Sequence, residues 1–279
     1  MRIVTISRLL GAYGDVIAPI VARRMGLSLI GRDQLHELAQ ACDPEFSEIC
    51  SIYESEHGPH FFERIFFDRP SYTSIFEALT FEQASLGDVV IVGRGAQIIL
   101  RDMPGVTRIR IVAPKEIRVK RVMERFNFSQ EEAQEYVHKY DHERENLVRS
   151  IFHSDPQDWS LYDVVINTGR FTAGQAAELV IEAVDRMEKV PDPEVLREKL
   201  KNMALAKRIE GLIRKALTTA VARHVVVTAE PGGLIKLSGR IREEHNKKKA
   251  EEITSEYPGV TKVDNDLEVI ELGFGYWLG

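Results

Sequence analysis

Basic excess, cysteine and long apolar runs are what this sequence has little of, and each shortage removes a class of function. The net charge is −6 over 279 residues, which speaks against a general nucleic-acid binder and leaves room only for a local basic patch. Cysteine occurs twice, at Cys42 and Cys50. Two are too few for a disulfide framework, and no partner stands beside them at zinc spacing. Reduced thiols in a cytoplasmic protein are the expectation. The eight histidines make no His-Glu-x-x-His or paired-ligand pattern, so no metal site is expected from them. No apolar run reaches membrane-spanning length. The chain runs straight into a strand pattern at Met1, so no signal peptide is expected. What is present is a 44% hydrophobic fraction, enough to bury a full core, and length enough for two domains.

The first stretch organises the rest. Met1–Ile6 predicts a short buried strand and Ser7–Gly14 a turn. Asp15–Arg23 predicts a helix with Val16, Ile17, Ile20 and Val21 on one face. Strand, glycine-bearing turn and helix are the layout of a phosphate-binding loop, in which N–H groups at a helix N-terminus point at an anion. One more absence matters here. A full Walker A loop places lysine and then Ser or Thr after its last glycine, and Gly14 and Asp15 stand in those places. The loop geometry can survive without the lysine charge and the Mg²⁺-binding hydroxyl. Asp15 suits the positive helix end but repels a phosphate; holding Mg²⁺ through water is a weaker expectation for it. Arg8 sits where it could replace some of the missing lysine charge.

Further along, strands and helices alternate. Gly26–Ile30 predicts a second strand and Gly31–Ala41 a helix. Between Asp43 and Ser71 the pattern is hard to read; Phe61, Phe62, Phe66 and Phe67 fall at helical spacings, as core residues do. Thr73–Ser85 predicts a helix, and Asp88–Val92 a strand covered on both faces. Arg108–Val112 predicts a strand, Pro114–Phe126 a helix, and Ser129 with Glu132 a capping box opening a helix to about Phe152. Val164–Asn167 and Thr172–Met187 close this half. The alternation predicts a parallel sheet flanked by helices. Ligands of such sheets sit at the carboxyl ends of the strands, which here carry Ser7-Arg8, Gly93-Arg94-Gly95 and Asn167-Thr168. Val190–Pro193 reads as a linker. Beyond it an amphipathic helix around Leu205–Ala216, a hairpin of His224–Thr228 and Leu234–Ser238, a helix over Asn246–Tyr257 and a strand over Val260–Ile270 predict an αββαβ sandwich.

Three motifs in order, Ile3-Val4-Thr5-Ile6-Ser7-Arg8 with Gly11 and Gly14, Val92-Gly93-Arg94-Gly95, and Tyr162-Asp163-Val164-Val165-Ile166-Asn167-Thr168, resemble the bacterial cytidylate kinases. They resemble more closely the divergent cytidylate kinase-like proteins of the P-loop NTPase superfamily. The second half, with Gly239 closing its second strand and Pro258-Gly259-Val260 through Val263-Asp264-Asn265, looks like a BON domain. The implied fold is a parallel-sheet α/β P-loop kinase-like domain over residues 1–187. A linker over 188–199 and a small α+β BON-like domain over 200–279 follow.

The resemblance implies ATP-dependent phosphoryl transfer to a nucleoside monophosphate, CMP by default, with Mg²⁺ held mainly by the nucleotide. Backbone groups of Gly11, Ala12, Tyr13, Gly14 and Asp15 would hold ATP phosphates, with Arg8 nearby. Tyr13 replaces a glycine of the relatives' Gly-Ser-Gly-Gly run and crowds that approach. Arg94 matches the arginine that holds the acceptor phosphate in cytidylate kinases, where a planar guanidinium can bind in two-pronged fashion. Val92 and Gly95 stand where the matching segment has two aspartates. Arg118, Arg121 and Arg125 share one helical face, either a lid over ATP or a solvated stripe. Asp141 and Arg144 match a recurring Asp-x-x-Arg, either a transfer group or a surface ion pair. The alternative function is a catalytically silent nucleotide or anion sensor. Its BON-like half would bind a protein partner or a phospholipid surface, and Lys247-Lys248-Lys249 would offer a basic face. Phe274, Tyr276 and Trp277 are expected to dock on this or a neighbouring subunit of a homo-oligomer.

Overall fold

The computed structural model describes residues 1–42, 70–187 and 192–270. Phe61, Phe62, Phe66, Phe67, Cys50, Val190, Pro191 and the aromatic tail from Phe274 lie outside them. The first half runs β1 (Ile3–Arg8), α1 (Gly14–Met25), β2 (Ser28–Ile30), α2 (Arg32–Cys42), α3 (Pro70–Leu86), β3 (Val89–Val92) and α4 (Ala96–Ile99). It continues with β4 (Val106–Val112), α5 (Lys115–Phe126), α6 (Gln130–Phe152), β5 (Val164–Asn167) and α7 (Ala173–Arg186). The five strands are parallel in the order β2-β3-β1-β4-β5.

Strand β1 is central and needs apolar residues on both faces, which Ile3, Val4 and Ile6 supply. Val4 and Ile6 join Val90, Ile109, Ile111 and Ile166 against Ile17, Ala18 and Val21 of α1 and Ala177 and Val180 of α7. Ile3 joins Val89, Ile91 and Val106 on the opposite face. Gly26, expected to open the second strand, instead takes a left-handed φ of 67° and closes α1 on the Ala22 and Arg23 carbonyls, and β2 begins at Ser28. The capping box of Ser129 and Glu132 is formed, and Thr172 with Gln175 makes a second one on α7.

The second unit comprises α8 (Pro193–Leu217), α9 (Thr219–Ala222), β6 (His224–Glu230), β7 (Leu234–Arg242), α10 (Glu244–Ser255), β8 (Lys262–Asn265) and β9 (Glu268–Ile270). The expected last strand is two. β8 and β9 pair successive parts of β7 and are parted at Asp266-Leu267, where the Asp266 N–H bonds the Leu237 carbonyl and Leu267 turns into the core. Lys247 leaves the expected basic face, because its ammonium donates to the Leu267 carbonyl at 2.8 Å.

Helix α8 belongs to both halves. It is helical from Pro193, inside the stretch expected to link. Pro193 sits in its first turn and the Asp192 carboxylate caps the Glu194 and Val195 N–H groups. Leu196, Leu200 and Ala204 complete the core of Ile3, Phe81, Ile91, Leu100 and Val106. One or more turns on, Ile209, Ile213 and Leu217 enter the core of the second unit with Val225, Ile235 and Leu237. Polar contacts fasten α8 to α3. Glu210, 3% exposed, accepts from Ser74 and pairs with Lys207 and Arg214; Lys207 also reaches Glu77 at 2.8 Å, and Arg208 grips Glu82 through two bonds of 2.7 Å. Burial alone would lower the Lys207 pKa, but Glu77 and Glu210 outweigh it and raise it. Among the described residues no helix is long and apolar enough to cross a membrane.

Candidate functional site

The carboxyl ends of β1, β3, β4 and β5 form one rim, and the β1–α1 turn sits on it. Leu9 N–H bonds the Ile111 carbonyl of β4, and Ala12 N–H bonds the Leu9 carbonyl, so the turn is tight and tied to the sheet. Gly11 has φ 74° and Tyr13 has φ 69°, a left-handed conformation unusual for a non-glycine. The N–H groups of Gly11, Tyr13, Gly14 and Asp15 make no backbone hydrogen bond among the described residues, which leaves them at the positive end of α1.

The space that a side chain at position 14 would occupy is taken by Arg8. A Cβ on Gly14 would overlap Arg8 Cβ and Cγ, and a Cβ on Gly93 would overlap Arg8 Nη1. Arg8 therefore lies wedged between the first residue of α1 and the end of β3. Its guanidinium reaches Asp15 Oδ1 through Nε at 2.8 Å and Nη2 at 2.7 Å. Burial and the Arg144 charge lower the Arg8 pKa, against the pull of Asp15. Burial by itself would raise Asp15, but the Arg8 and Arg144 charges hold its carboxyl below the usual range.

Arg118, Arg121 and Arg144 point at the loop. Arg118 is 5% exposed and donates to the Ala113 and Leu10 carbonyls while pairing with Asp141 at 2.8 Å. Arg121 donates to the Gly11 carbonyl and to the Thr168 hydroxyl and carbonyl, with its guanidinium 3.6 Å from the Tyr13 ring centre. Thr168 in turn donates to the Ala12 carbonyl at 3.0 Å. Arg144 donates to the Arg8 carbonyl at 2.6 Å and to the Tyr140 hydroxyl. Arg125 is exposed and lies over Phe126. Asp141 is thus the partner of Arg118 on the neighbouring helix, a pairing that spacing along α6 could not reveal.

Tyr13 lines a cavity and does not fill it. The cavity, about 280 Å³, opens beside the loop between Leu10, Gly11, Tyr13, Asp15, Arg121, Arg125 and Phe126. Arg94 stands apart from this group, at the end of β3. Gly93, Arg94 and Gly95 all have positive φ, 77°, 57° and 71°. A Cβ on Gly95 would overlap the Phe152 ring, and Arg94 faces a crevice walled by Thr73, Phe76 and Glu77 of α3 and Phe152 of α6. A non-glycine held left-handed costs about 1 kcal/mol or more, and strain of this kind collects at functional positions.

Sequence reading missed Arg110. It sits in β4 between the buried Ile109 and Ile111, and beside Ser7 in the register of β1 and β4. Its Nη1 donates to Ser7 Oγ at 2.6 Å, and its guanidinium lies 5.6 Å from the Tyr162 ring centre. The available signal was a charged residue between two apolar residues of an interior strand.

Comparison with known proteins agrees with the fold of both units. Residues 3–170 match the Cytidylate kinase-like family and residues 205–271 match the BON domain. A cytidylate kinase of Methanopyrus kandleri is 25% identical over 200 residues, covering 68% of this chain and 97% of the relative. One from Pyrococcus horikoshii is 24% identical over 202 residues, covering 71% and 95%. A crystal structure of an uncharacterized protein from Eubacterium ventriosum superposes with a TM-score of 0.52 at 23% identity, over 67% of this chain and 99% of that one.

Proposed function

The chain belongs to the cytidylate kinase-like family, and from that premise we propose that it transfers a phosphoryl group from ATP to a nucleoside monophosphate, with CMP as the first acceptor to test. The observation that carries this is the wedged Arg8. The Arg8 Cβ and Cγ leave no room for a side chain at position 14, so the cation absent from the usual lysine position re-enters the same loop from the strand before it. Polyphosphate oxygens would then meet the amides at the start of α1 and the Arg8 guanidinium. Arg144, fixed on the Arg8 carbonyl, adds positive charge where the transferring group gains negative charge. Arg118 and Arg121 serve by holding the loop backbone in place, and Arg94 takes the acceptor phosphate. The base of the donor has the cavity between Tyr13, Arg121 and Phe126 open to it. Mg²⁺ would come with the nucleotide, held mainly by its phosphates.

The test is ADP release from ATP with CMP, UMP, AMP and dCMP as acceptors, beside an Arg94→Ala variant. Turnover with one monophosphate, and a raised KM for it in Arg94→Ala, is the expected result. ATP binding without turnover on any acceptor would exclude transfer. It would favour instead a nucleotide sensor whose BON domain carries the signal to a protein or phospholipid surface. One contact speaks for that second function: Asp15 already neutralises part of the Arg8 charge.

A further inference from the structure

The arginines of the rim differ in what balances them. Arg8 has Asp15 and Arg118 has Asp141. Arg121 is surrounded by carbonyl and hydroxyl oxygens on three bonds. Arg110 has a single hydrogen bond, to the neutral Ser7 hydroxyl, and no carboxylate within ion-pair distance among the described residues. The nearest carboxylates act on it only through space and are committed elsewhere. Asp141 is held by Arg118, and Glu145 by Arg149 at 3.7 Å and Gln157. Arg144 adds a second like charge.

A guanidinium half-buried in a central strand, next to another cation and without a counter-ion, is destabilising by itself. It becomes favourable when an anion arrives. We propose that Arg110 is a phosphate-binding residue, and that Ser7 Oγ, the Arg110 guanidinium and Arg144 together receive a phosphoryl oxyanion at the rim between β1 and β4. The class of ligand is a phosphate ester or polyphosphate; its identity as the nucleotide of the transfer reaction rests on the function proposed above. Burial and Arg144 both lower the Arg110 pKa, with Tyr162 opposing them, as expected where positive charge is in excess. The surroundings suit a planar group: the Tyr162 ring flanks the guanidinium, and Tyr162 is itself fixed by a hydrogen bond to the Pro156 carbonyl.

The experiment is calorimetric titration of inorganic pyrophosphate, and separately ATP, into the full chain and into Arg110→Met and Arg110→Lys. Each protein is also melted with and without pyrophosphate. Arg110→Met should lose at least about tenfold in pyrophosphate affinity, the usual worth of a charged hydrogen bond. Arg110→Lys, which keeps charge but loses the fork, should fall between. Without anion, Arg110→Met should melt no lower than the wild type, and pyrophosphate should raise the wild-type melting temperature more than that of the variant. Unchanged pyrophosphate affinity in Arg110→Met, or a melting temperature well below wild type without anion, overturns the proposal. The two proposals fail separately. ATP turnover with Arg110→Met indistinguishable from wild type removes Arg110 alone. Arg110-dependent pyrophosphate binding without ADP release leaves the phosphate site and removes the kinase activity. No binding of either anion by the wild type removes both.

Discussion

Truncating Leu200 should destabilise the kinase-like half, although Leu200 lies in the helix that opens the second unit. Its side chain is fully buried among Ile3, Phe81, Ile91, Leu100 and Val106. Leu200→Ala removes three carbons and leaves a void walled by β1, β3 and α3. Those elements are fixed by the sheet and by the ion pairs of α8, so the void cannot collapse fully. Leu→Ala costs span about 2–5 kcal/mol and rise with the residual cavity, so about 3–5 kcal/mol is expected here. At about 2–4 °C per kcal/mol for a chain of this size, the melting temperature should fall by roughly 10 °C. Leu212→Ala, 40% exposed on the same helix, should cost under about 1 kcal/mol and controls for helix propensity. The assay is urea and thermal unfolding of the full chain, followed by near-ultraviolet circular dichroism. A loss below about 1 kcal/mol for Leu200→Ala, or a shift confined to a separate transition of the second unit, would refute the shared core.

Two further outcomes follow from the site. Arg118→Met strands the Asp141 carboxylate and two carbonyls, so stability should drop by about 3–5 kcal/mol before any kinetic effect is read; unchanged stability with lost turnover would instead put Arg118 on the transferred phosphoryl group. Asp15 has a depressed pKa in the folded protein, so its pairing with Arg8 stabilises above the unfolded carboxylate value of about 3.9 and is lost as pH falls through the lower folded value. Asp15→Asn should therefore flatten the acid limb of the stability–pH curve below about pH 4. It should also tighten ATP binding at neutral pH by removing a negative charge from the loop. An acid limb identical to wild type, or weaker ATP binding, would contradict the pairing.

Much of the fold was legible because its signals are local. Ser129 and Glu132 are three apart and cap a helix wherever it lies, and the β-branched run at Val89–Val92, bounded by Gly87 and Gly93, has the length and composition of a strand covered on both sides. In sequence Pro193 has the look of a breaker, whereas in the first turn behind a capping Asp192 it opens α8. The third strand of the second unit looked continuous because a break of two residues leaves alternation almost intact. At the site, spacing gathered Arg118, Arg121 and Arg125 on one face, but helical period cannot say which member meets backbone and which meets solvent. Arg118 is buried on the loop, while Arg125 is exposed. Position alone puts Arg8 at the missing lysine; that Gly14 must lack a side chain to admit it, and that its guanidinium reaches Gly93, depends on a contact between three separate segments.

That contact is also where the account is most directly tested. ATP affinity should be measured by calorimetry for the wild type, Arg8→Gly, Gly14→Lys and the double variant carrying both. Each single change should abolish or sharply weaken binding, the first by removing the cation and the second by driving a side chain into Arg8. The double variant should recover ATP binding, since the cation returns from the neighbouring position into the vacated space. Wild-type affinity in Arg8→Gly, or a double variant no better than the singles, would contradict the claim that Arg8 supplies the charge of this loop.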